Sequence, residues 1–155
     1  MSGRPEGVAA SSTAQAIARR AALALARIPY ARQLGACLDE RAHDPGVVLL
    51  LPFQQRLIGN TQLPSIHGGV IGSFMQITAV VAAFAQLGEQ RPPRLIDFSI
   101  DYLSRAEPKD LRARCNLTRV GRRVAAVSVG CWQTDESAPT AVARAHLFVG
   151  EAARK

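Results

Sequence analysis

The sequence is short of several features that mark specialised classes of protein. Aromatic residues are few, with five Phe, two Tyr and one Trp, and they do not alternate with basic residues. Lys and Arg outnumber Asp and Glu by 19 to 12, for a net charge of +7, but they are spread along the whole chain. Nucleic-acid-binding surfaces concentrate basic and aromatic residues together. A nucleic-acid or membrane-surface role is therefore only the third hypothesis.

Cysteine is also scarce, with Cys37, Cys115 and Cys131 as the only three. An odd number, with no Cys-x-x-Cys pair and no neighbouring Cys/His set, argues against a disulfide framework and against a zinc site. We therefore expect a cytoplasmic protein that uses no metal and no redox cofactor. The longest apolar stretch, residues 70–87, is interrupted by polar side chains and does not predict a membrane span.

The chain has the length and composition of one globular domain. It has 155 residues, of which 48% are hydrophobic and 20% charged, so it can bury a core without staples. We expect a flexible tail over residues 1–10 and a single domain over residues 11–155. Helical spacing of apolar residues predicts an N-terminal helix at about residues 13–28 and a second helix from about Gly68 to Leu87.

After this second helix the apolar residues alternate with polar ones, which predicts strands. The four predicted strands cover residues 95–103, 111–119, 122–133 and 141–149. Short turns between them indicate an antiparallel meander with one apolar face. Only the helix at residues 68–87 is apolar enough around its circumference to cover that face. The pattern therefore predicts an α+β fold, with one long helix wrapped by a curved antiparallel sheet.

One stripe of this helix carries small or polar residues, at Gly69, Gly72, Ser73 and Gln76. Small side chains allow another group to approach the helix backbone closely. Gln76 is the one long polar side chain on the stripe, about 10 Å along the axis from Gly69. A buried amide needs hydrogen-bond partners. Gln76 is therefore expected either to be satisfied structurally or to bind a ligand.

The segment His67-Gly68-Gly69 at the start of the helix has the features of an oxyanion-binding site. The first N–H groups of a helix have no partner within the helix, and the helix dipole favours negative charge there. The glycines would let a carbonyl approach, and Asn60 could add an amide donor. The structural alternative is that His67 only bonds to nearby backbone, but the two glycines favour a role in the site.

These motifs resemble the PaaI-like acyl-CoA thioesterases of the hotdog fold. The resemblance spans about residues 46–149, and it rests on Gly59-Asn60, His67-Gly68-Gly69-Val70, Asp97-Phe98-Ser99-Ile100-Asp101-Tyr102-Leu103, Val120-Gly121-Arg122-Arg123 and Ala143-Arg144-Ala145. It implies a hotdog fold, with the N-terminal helix as an addition. It also implies that the Gly68 N–H polarises a thioester carbonyl and that Asn60 helps to place the substrate.

The chain departs from the family at the catalytic acid. The family has an Asp or Glu nine residues after the histidine, and this chain has Gln76. An amide cannot accept a proton from water at neutral pH. Two alternatives are open for the missing acid. In the first, Gln76 with Ser73 or Thr78 orients the attacking water. In the second, a carboxylate on the first strand after the helix, Asp97 or Asp101, takes the place of the acid. Alternation of that strand places both carboxylates on the outer face of the sheet.

The resemblance also implies a ligand and an assembly. In the family a basic residue near the turn at Arg122 and Arg123 can contact the phosphates of CoA, and the net charge of +7 fits such a ligand; a solvated hairpin is the structural alternative. The site would lie between two subunits of a homodimer or of a dimer of dimers. The first hypothesis is therefore an acyl-CoA thioesterase, with His67, Gly68, Asn60 and Gln76 in the catalytic set and Gly69 and Ser73 beside the substrate. The second is a catalytically weak hotdog protein that binds acyl-CoA without efficient hydrolysis.

Overall fold

The computed structural model describes residues 6–42 and 46–150 of the chain. Its three α-helices are α1 (Glu6–Ala26), α2 (Pro29–Leu34) and α3 (Gly68–Leu87), and a short 3₁₀ helix spans Gln55–Leu57. Its eight strands are β1 (Cys37–Leu38), β2 (Val48–Leu51), β3 (Ile58–Asn60), β4 (Ser65–Ile66), β5 (Arg94–Tyr102), β6 (Leu111–Val120), β7 (Val124–Trp132) and β8 (Ala141–Phe148). This is the expected α+β hotdog architecture, in which a six-stranded antiparallel sheet packs on α3.

Helix α3 has the bounds that the sequence predicts. His67 caps its N-terminus, and Gly88 ends it in the left-handed conformation, with φ of 69°. Most of its side chains are buried, Phe74, Met75 and Val81 completely. By length and composition α3 could also span a membrane, but 67% of that stretch is buried inside the fold, as in the core helix of many proteins.

The order of the strands differs from the predicted meander. Strands β6, β7 and β8 are consecutive neighbours, as expected, but β5 pairs with β8 and not with β6. The sheet order is β1-β2-β6-β7-β8-β5, so β5 is an edge strand. Alternation of apolar residues determines which face of a strand is buried. It does not determine which strand lies beside it, because that depends on contacts between residues far apart in the chain.

A bulge in β5 also changes which residues face the core. Strict alternation along β5 would place Ile96 on the apolar face with Phe98 and Ile100, but the pairing with β8 shifts register between Leu95 and Asp97. Leu95, Phe98 and Ile100 pack against the core, whereas Ile96 is 55% exposed. The free edge of the sheet therefore carries an exposed apolar side chain.

The N-terminal helix begins earlier than expected and packs more closely. Helix α1 begins at Glu6, inside the stretch that was expected to be a flexible tail, and residues 1–5 lie outside the described residues. Arg20 of this helix is not left in solvent. Its guanidinium donates to the carbonyl oxygens of Phe84 (3.1 Å) and Glu89 (2.6 Å) and lies 4.6 Å from the Phe84 ring centroid. Arg20 thus fastens α1 to the C-terminal end of α3, where a cation is electrostatically favoured.

Candidate active site

The N-terminus of α3 offers one free backbone donor, where two were expected. The Nδ1 atom of His67 accepts the Gly69 N–H at 2.9 Å, so that N–H is occupied by the cap. The Gly68 N–H has no acceptor among the described residues. The carbonyl oxygen of His67 accepts from both Val70 (2.9 Å) and Ile71 (3.2 Å). These bonds polarise the His67–Gly68 peptide and favour its N–H as a donor.

His67 is held rigidly by backbone on two sides. Its N–H donates to the Leu57 carbonyl oxygen at 2.9 Å. A Cβ on Gly59 would lie 2.7 Å from His67 Cβ, and a Cβ on Gly69 would lie 2.9 Å from His67 Nδ1. Both glycines are therefore needed for the histidine to occupy this position. Because Nδ1 accepts a hydrogen bond, the proton of the neutral ring is on Nε2.

Asn60 lies in the small hairpin of β3 and β4 that leads into α3. Its Oδ1 atom accepts the N–H groups of Gln62 (3.0 Å) and Leu63 (3.1 Å), which makes it the first residue of an Asx turn. The side-chain amide N–H groups of Asn60 have no acceptor within the described part of the chain. The turn therefore fixes the side chain through its oxygen and leaves its donor end available.

Gln76 and Ser73 lie on the same stripe of α3 as Gly69, and both side chains are half-buried. Neither side chain has a hydrogen-bond partner within residues 6–42 and 46–150. Gln76 is two helical turns, about 10 Å, from Gly69 on the same helix. One chain alone therefore does not bring Gln76 up to the Gly68 N–H. Thr78, which was expected as a possible partner of Gln76, is completely buried and donates to the Phe74 carbonyl oxygen at 2.8 Å.

Tyr102, at the end of β5, is a site residue that the sequence analysis did not single out. Its hydroxyl donates to the Gly68 carbonyl oxygen at 2.7 Å. Cβ atoms placed on Gly68 and Gly72 would lie 3.2 Å and 3.6 Å from the Tyr102 side chain. The small residues on α3 thus admit this ring, as well as leaving room for a ligand. Only the period of β5 and the two glycines could have indicated the contact, since it joins residues 34 positions apart.

The carboxylates of β5 do not replace the missing acid. Asp97, Ser99 and Asp101 are exposed on the outer face of the sheet, as alternation predicts. Asp97 accepts a hydrogen bond from Nδ1 of His146, at 2.9 and 3.0 Å to its two oxygens. The α3 N-terminus is on the other face, so these groups are not part of the site.

The cysteines do not supply a nucleophile either. Burial raises the pKa of the Cys115 and Cys131 thiols to about 12. The pKa of the Cys37 thiol is also raised, by burial and then by the neighbouring carboxylates of Asp39 and Glu40. A reactive cysteine needs a lowered pKa. All three therefore remain thiols at neutral pH.

Arg122 and Arg123 lie in the exposed turn between β6 and β7, far from Gly68 in the same chain. Tyr102, which contacts Gly68, pairs with Ala141, the first residue of β8. The turn that holds the two arginines leads into Val124, which pairs with Phe148, the last residue of β8. Strand β8 has eight residues, so the two places are about 25 Å apart along the sheet. One chain does not bring the arginines and the α3 N-terminus together.

Comparisons with known proteins agree with this fold. The family model of the thioesterase superfamily matches residues 63–140, which is half of the chain. A solved structure from Chromobacterium violaceum is 33% identical with a TM-score of 0.69, and the match covers 92% of this chain and 98% of that one. Another, from Pseudomonas aeruginosa, is 28% identical with a TM-score of 0.74 and covers 85% and 98%.

A third solved structure carries a description of function. It is a candidate thioesterase related to phenylacetic acid degradation, from Ralstonia eutropha JMP134. It is 23% identical with a TM-score of 0.69, and the match covers 86% of this chain and 99% of that one. Comparison with curated protein sequences gives no match. Membership of the family supports thioester hydrolysis as the general activity. The fold, the His67-Gly68-Gly69 segment and the match over residues 63–140 together show that this chain belongs to the thioesterase superfamily, as its resemblance to the PaaI-like hotdog enzymes implies.

Proposed function

We propose that the protein binds acyl-CoA or a similar thioester and hydrolyses it, with the thioester carbonyl oxygen on the Gly68 N–H. The observation that supports this most directly is the free Gly68 N–H at the first turn of a 20-residue helix. The peptide that carries it is polarised by two hydrogen bonds to its carbonyl oxygen. A donor of this kind in an oxyanion site contributes about 3–4 kcal/mol to transition-state stabilisation.

In the proposed reaction, water attacks the thioester carbonyl carbon. The carbonyl oxygen becomes an oxyanion that accepts the Gly68 N–H, and the amide of Asn60 is the second donor. Collapse of this intermediate breaks the carbon–sulfur bond and releases the acid and a thiolate, and the thiolate takes up the proton that the attacking water loses. His67 is exposed and carries the proton of its neutral ring on Nε2. Gln76 orients the water or the carbonyl through its amide.

Gln76 also supports the second hypothesis. Its amide has no hydrogen-bond partner within the described chain, so it is available to a ligand. It cannot act as a general base. A protein that binds acyl-CoA and releases thiol slowly or not at all is therefore the alternative, and it uses the same Gly68 donor. Turnover separates the two hypotheses, because both require binding.

We propose that the working site forms in a homodimer joined along β5. This strand is a nine-residue edge with exposed apolar side chains at Ile96 and Tyr102, and exposed Leu103 follows it directly. Long exposed edges of this kind are normally covered, because they pair with other strands. A two-fold axis perpendicular to the sheet, beside the middle of β5, joins two identical edges antiparallel. It also lets Gln76 of the partner approach Gly68, and this dimer can assemble further into a tetramer.

The same axis would bring the partner's Arg122 and Arg123 to the end of the sheet where Gly68 lies. In an antiparallel β5 pair, Tyr102 of one chain is level with the opposite end of the partner's β5. The partner's β7, which follows the arginine turn, is two strands further on, so the lateral separation is three strand spacings, about 14 Å. We propose that these arginines bind the phosphates of CoA, which also accounts for part of the positive charge.

Replacing both arginines, as Arg122→Ala with Arg123→Ala, is expected to weaken CoA binding by at least about 30-fold, since each phosphate contact with a charged group contributes roughly 1 kcal/mol or more. The measurement is calorimetric titration with CoA at two salt concentrations, where added salt should weaken binding by the natural chain more than by the variant. Arg105→Ala is the matched control, because Arg105 is exposed at the Gly68 end of the same chain. If only Arg105→Ala weakens binding, the phosphates of CoA contact the same chain whose Gly68 binds the thioester, and their assignment to the partner's arginines is wrong.

The direct test of the proposed function is thiol release from a panel of acyl-CoAs, with binding of each compound measured in parallel. Release that saturates with one class of acyl group would support the hydrolase. Binding without release would support the second hypothesis. If no acyl-CoA either binds or reacts, the proposal is wrong.

We also propose a cytoplasmic location, because all three cysteines are free thiols, as a reducing compartment favours.

A further inference from the structure

A continuous set of hydrogen bonds joins Tyr102 to His67 through the first peptide of α3. The Tyr102 hydroxyl donates to the Gly68 carbonyl oxygen at 2.7 Å. The same peptide group continues to the Gly69 N–H, which donates to Nδ1 of His67 at 2.9 Å. The Gly68–Gly69 peptide is therefore held at its oxygen by one side chain and at its N–H by another. Hydrogen bonds in such a series strengthen one another.

We infer that Tyr102 is a positioning residue that fixes the first turn of α3 and, through it, the tautomer of His67. The inference rests on the proposed function in one respect, since the site that it positions is the proposed thioester site. The Tyr102 hydroxyl polarises the Gly68–Gly69 peptide, which makes the Gly69 N–H a better donor to Nδ1. An Nδ1 atom that accepts leaves the proton on Nε2. His67 then presents a donor, and not an acceptor, towards a bound carbonyl.

The packing of the ring supports a dedicated role for this tyrosine. Cβ atoms on Gly68 and Gly72 would approach the ring to 3.2 Å and its hydroxyl to 3.6 Å, so both glycines leave the space that the ring occupies. The ring is nevertheless 52% exposed. A tyrosine that only filled the core would be covered on its other face. Here the side chain keeps that exposure while its hydroxyl is bonded to the Gly68 carbonyl oxygen.

His146 provides an internal reference for the tautomer. Its Nδ1 atom lies 2.9 Å from the Asp97 carboxylate, which can only accept, so His146 carries its proton on Nδ1. His67 is expected to carry its proton on Nε2, which is the opposite arrangement. The chain has only three histidines, and the imidazole nitrogen spectrum is correspondingly simple. The two tautomers give distinct ¹⁵N shifts for Nδ1 and Nε2.

The test is Tyr102→Phe, which keeps the ring and removes only the hydroxyl. Tyr30→Phe is the matched control, because Tyr30 is the other tyrosine of the chain and is exposed on α2. In Tyr102→Phe we expect the Gly69 amide to exchange its hydrogen about three- to tenfold faster, the range that loss of one neutral hydrogen bond gives. The ¹⁵N shifts of the His67 ring should move towards a mixture of the two tautomers. Those of His146 should stay unchanged.

Two further measurements separate positioning from a merely structural role. Where hydrolysis is measurable, kcat should fall by a similar three- to tenfold while KM changes little, because the hydroxyl acts on the carbonyl donors and not on the CoA portion. Gly68→Ala keeps the hydroxyl but moves the ring by a few tenths of an ångström, and it should give a smaller change in the same direction at His67. Unchanged Gly69 exchange and unchanged His67 shifts in a folded Tyr102→Phe would overturn the inference. The spectra need no turnover, so this failure is distinct from a failure of the proposed function.

Discussion

Replacing Gln76 with glutamate is expected to raise thioester turnover by at least about tenfold, because general base catalysis contributes about 10²–10⁴-fold. The side chain keeps nearly the same size and shape, and it gains the ability to accept a proton from water. The Gly68 donor is already present, so the base is the missing part of the site. Thiol release measures the change, and the natural chain is expected to hydrolyse slowly.

Gln76→Ala is the control for this experiment. It removes both the amide and the prospective base, so it should hydrolyse no faster than the natural chain while CoA binding is retained. The side chain is only half-buried, so the cost of a carboxylate there should stay below the several kcal/mol of a fully buried charge. Brisk hydrolysis by the natural chain that survives Gln76→Ala would show that another group supplies the base.

The second large effect is expected from a charge placed on the free edge of the sheet. Ile96→Lys should convert the dimer to a monomer, because two-fold symmetry places the new charge in the interface twice. A hot-spot residue contributes about 2 kcal/mol or more to an interface, so a loss of at least about 30-fold in dimer affinity follows from one copy alone. Ile96 is 55% exposed within its own chain, so the monomer should remain folded.

Leu23→Lys is the matched control, since Leu23 is similarly exposed, at 52%, but lies on α1 and away from β5. Light scattering at micromolar concentration gives the assembly state, and acyl-CoA binding gives the state of the site. We expect loss of both dimer and binding in Ile96→Lys and neither loss in Leu23→Lys. A natural chain that is monomeric, or an Ile96→Lys variant that remains a dimer, would contradict assembly along β5.

Much of the fold follows from local patterns in the sequence. Helix α3 begins and ends where the pattern places it, because His67 and Gly88 supply the two caps. The ends of the last four strands differ from the predicted ends by at most two residues, because apolar alternation ends where the turns begin. The position of β5 beside β8 could not be predicted in this way, because it depends on pairing between residues far apart in the chain. The bulge that exposes Ile96 depends on the same pairing.

The site could be predicted only in part, for a similar reason. His67, Gly68 and Asn60 are close in sequence, and the hairpin of β3 and β4 leads from Asn60 directly into the start of α3. The occupied Gly69 N–H depends on the rotamer of His67, which the contact with Gly59 determines. Tyr102 reaches Gly68 from another part of the chain. The replacement of the family's Asp or Glu by Gln76 can be read from the sequence directly, because that position lies nine residues after His67.

The measurement that tests the central claim most directly is the ¹H and ¹⁵N shift of the Gly68 amide on titration with two acyl-CoA analogues. One analogue has a ketone in place of the thioester and keeps the carbonyl. The other is a thioether without a carbonyl. We predict that both bind, that the ketone moves the Gly68 amide proton downfield as a new hydrogen bond forms, and that the thioether does not. Binding of the ketone with no change at Gly68, or an equal change with both analogues, would contradict the placement of the thioester carbonyl at the N-terminus of α3.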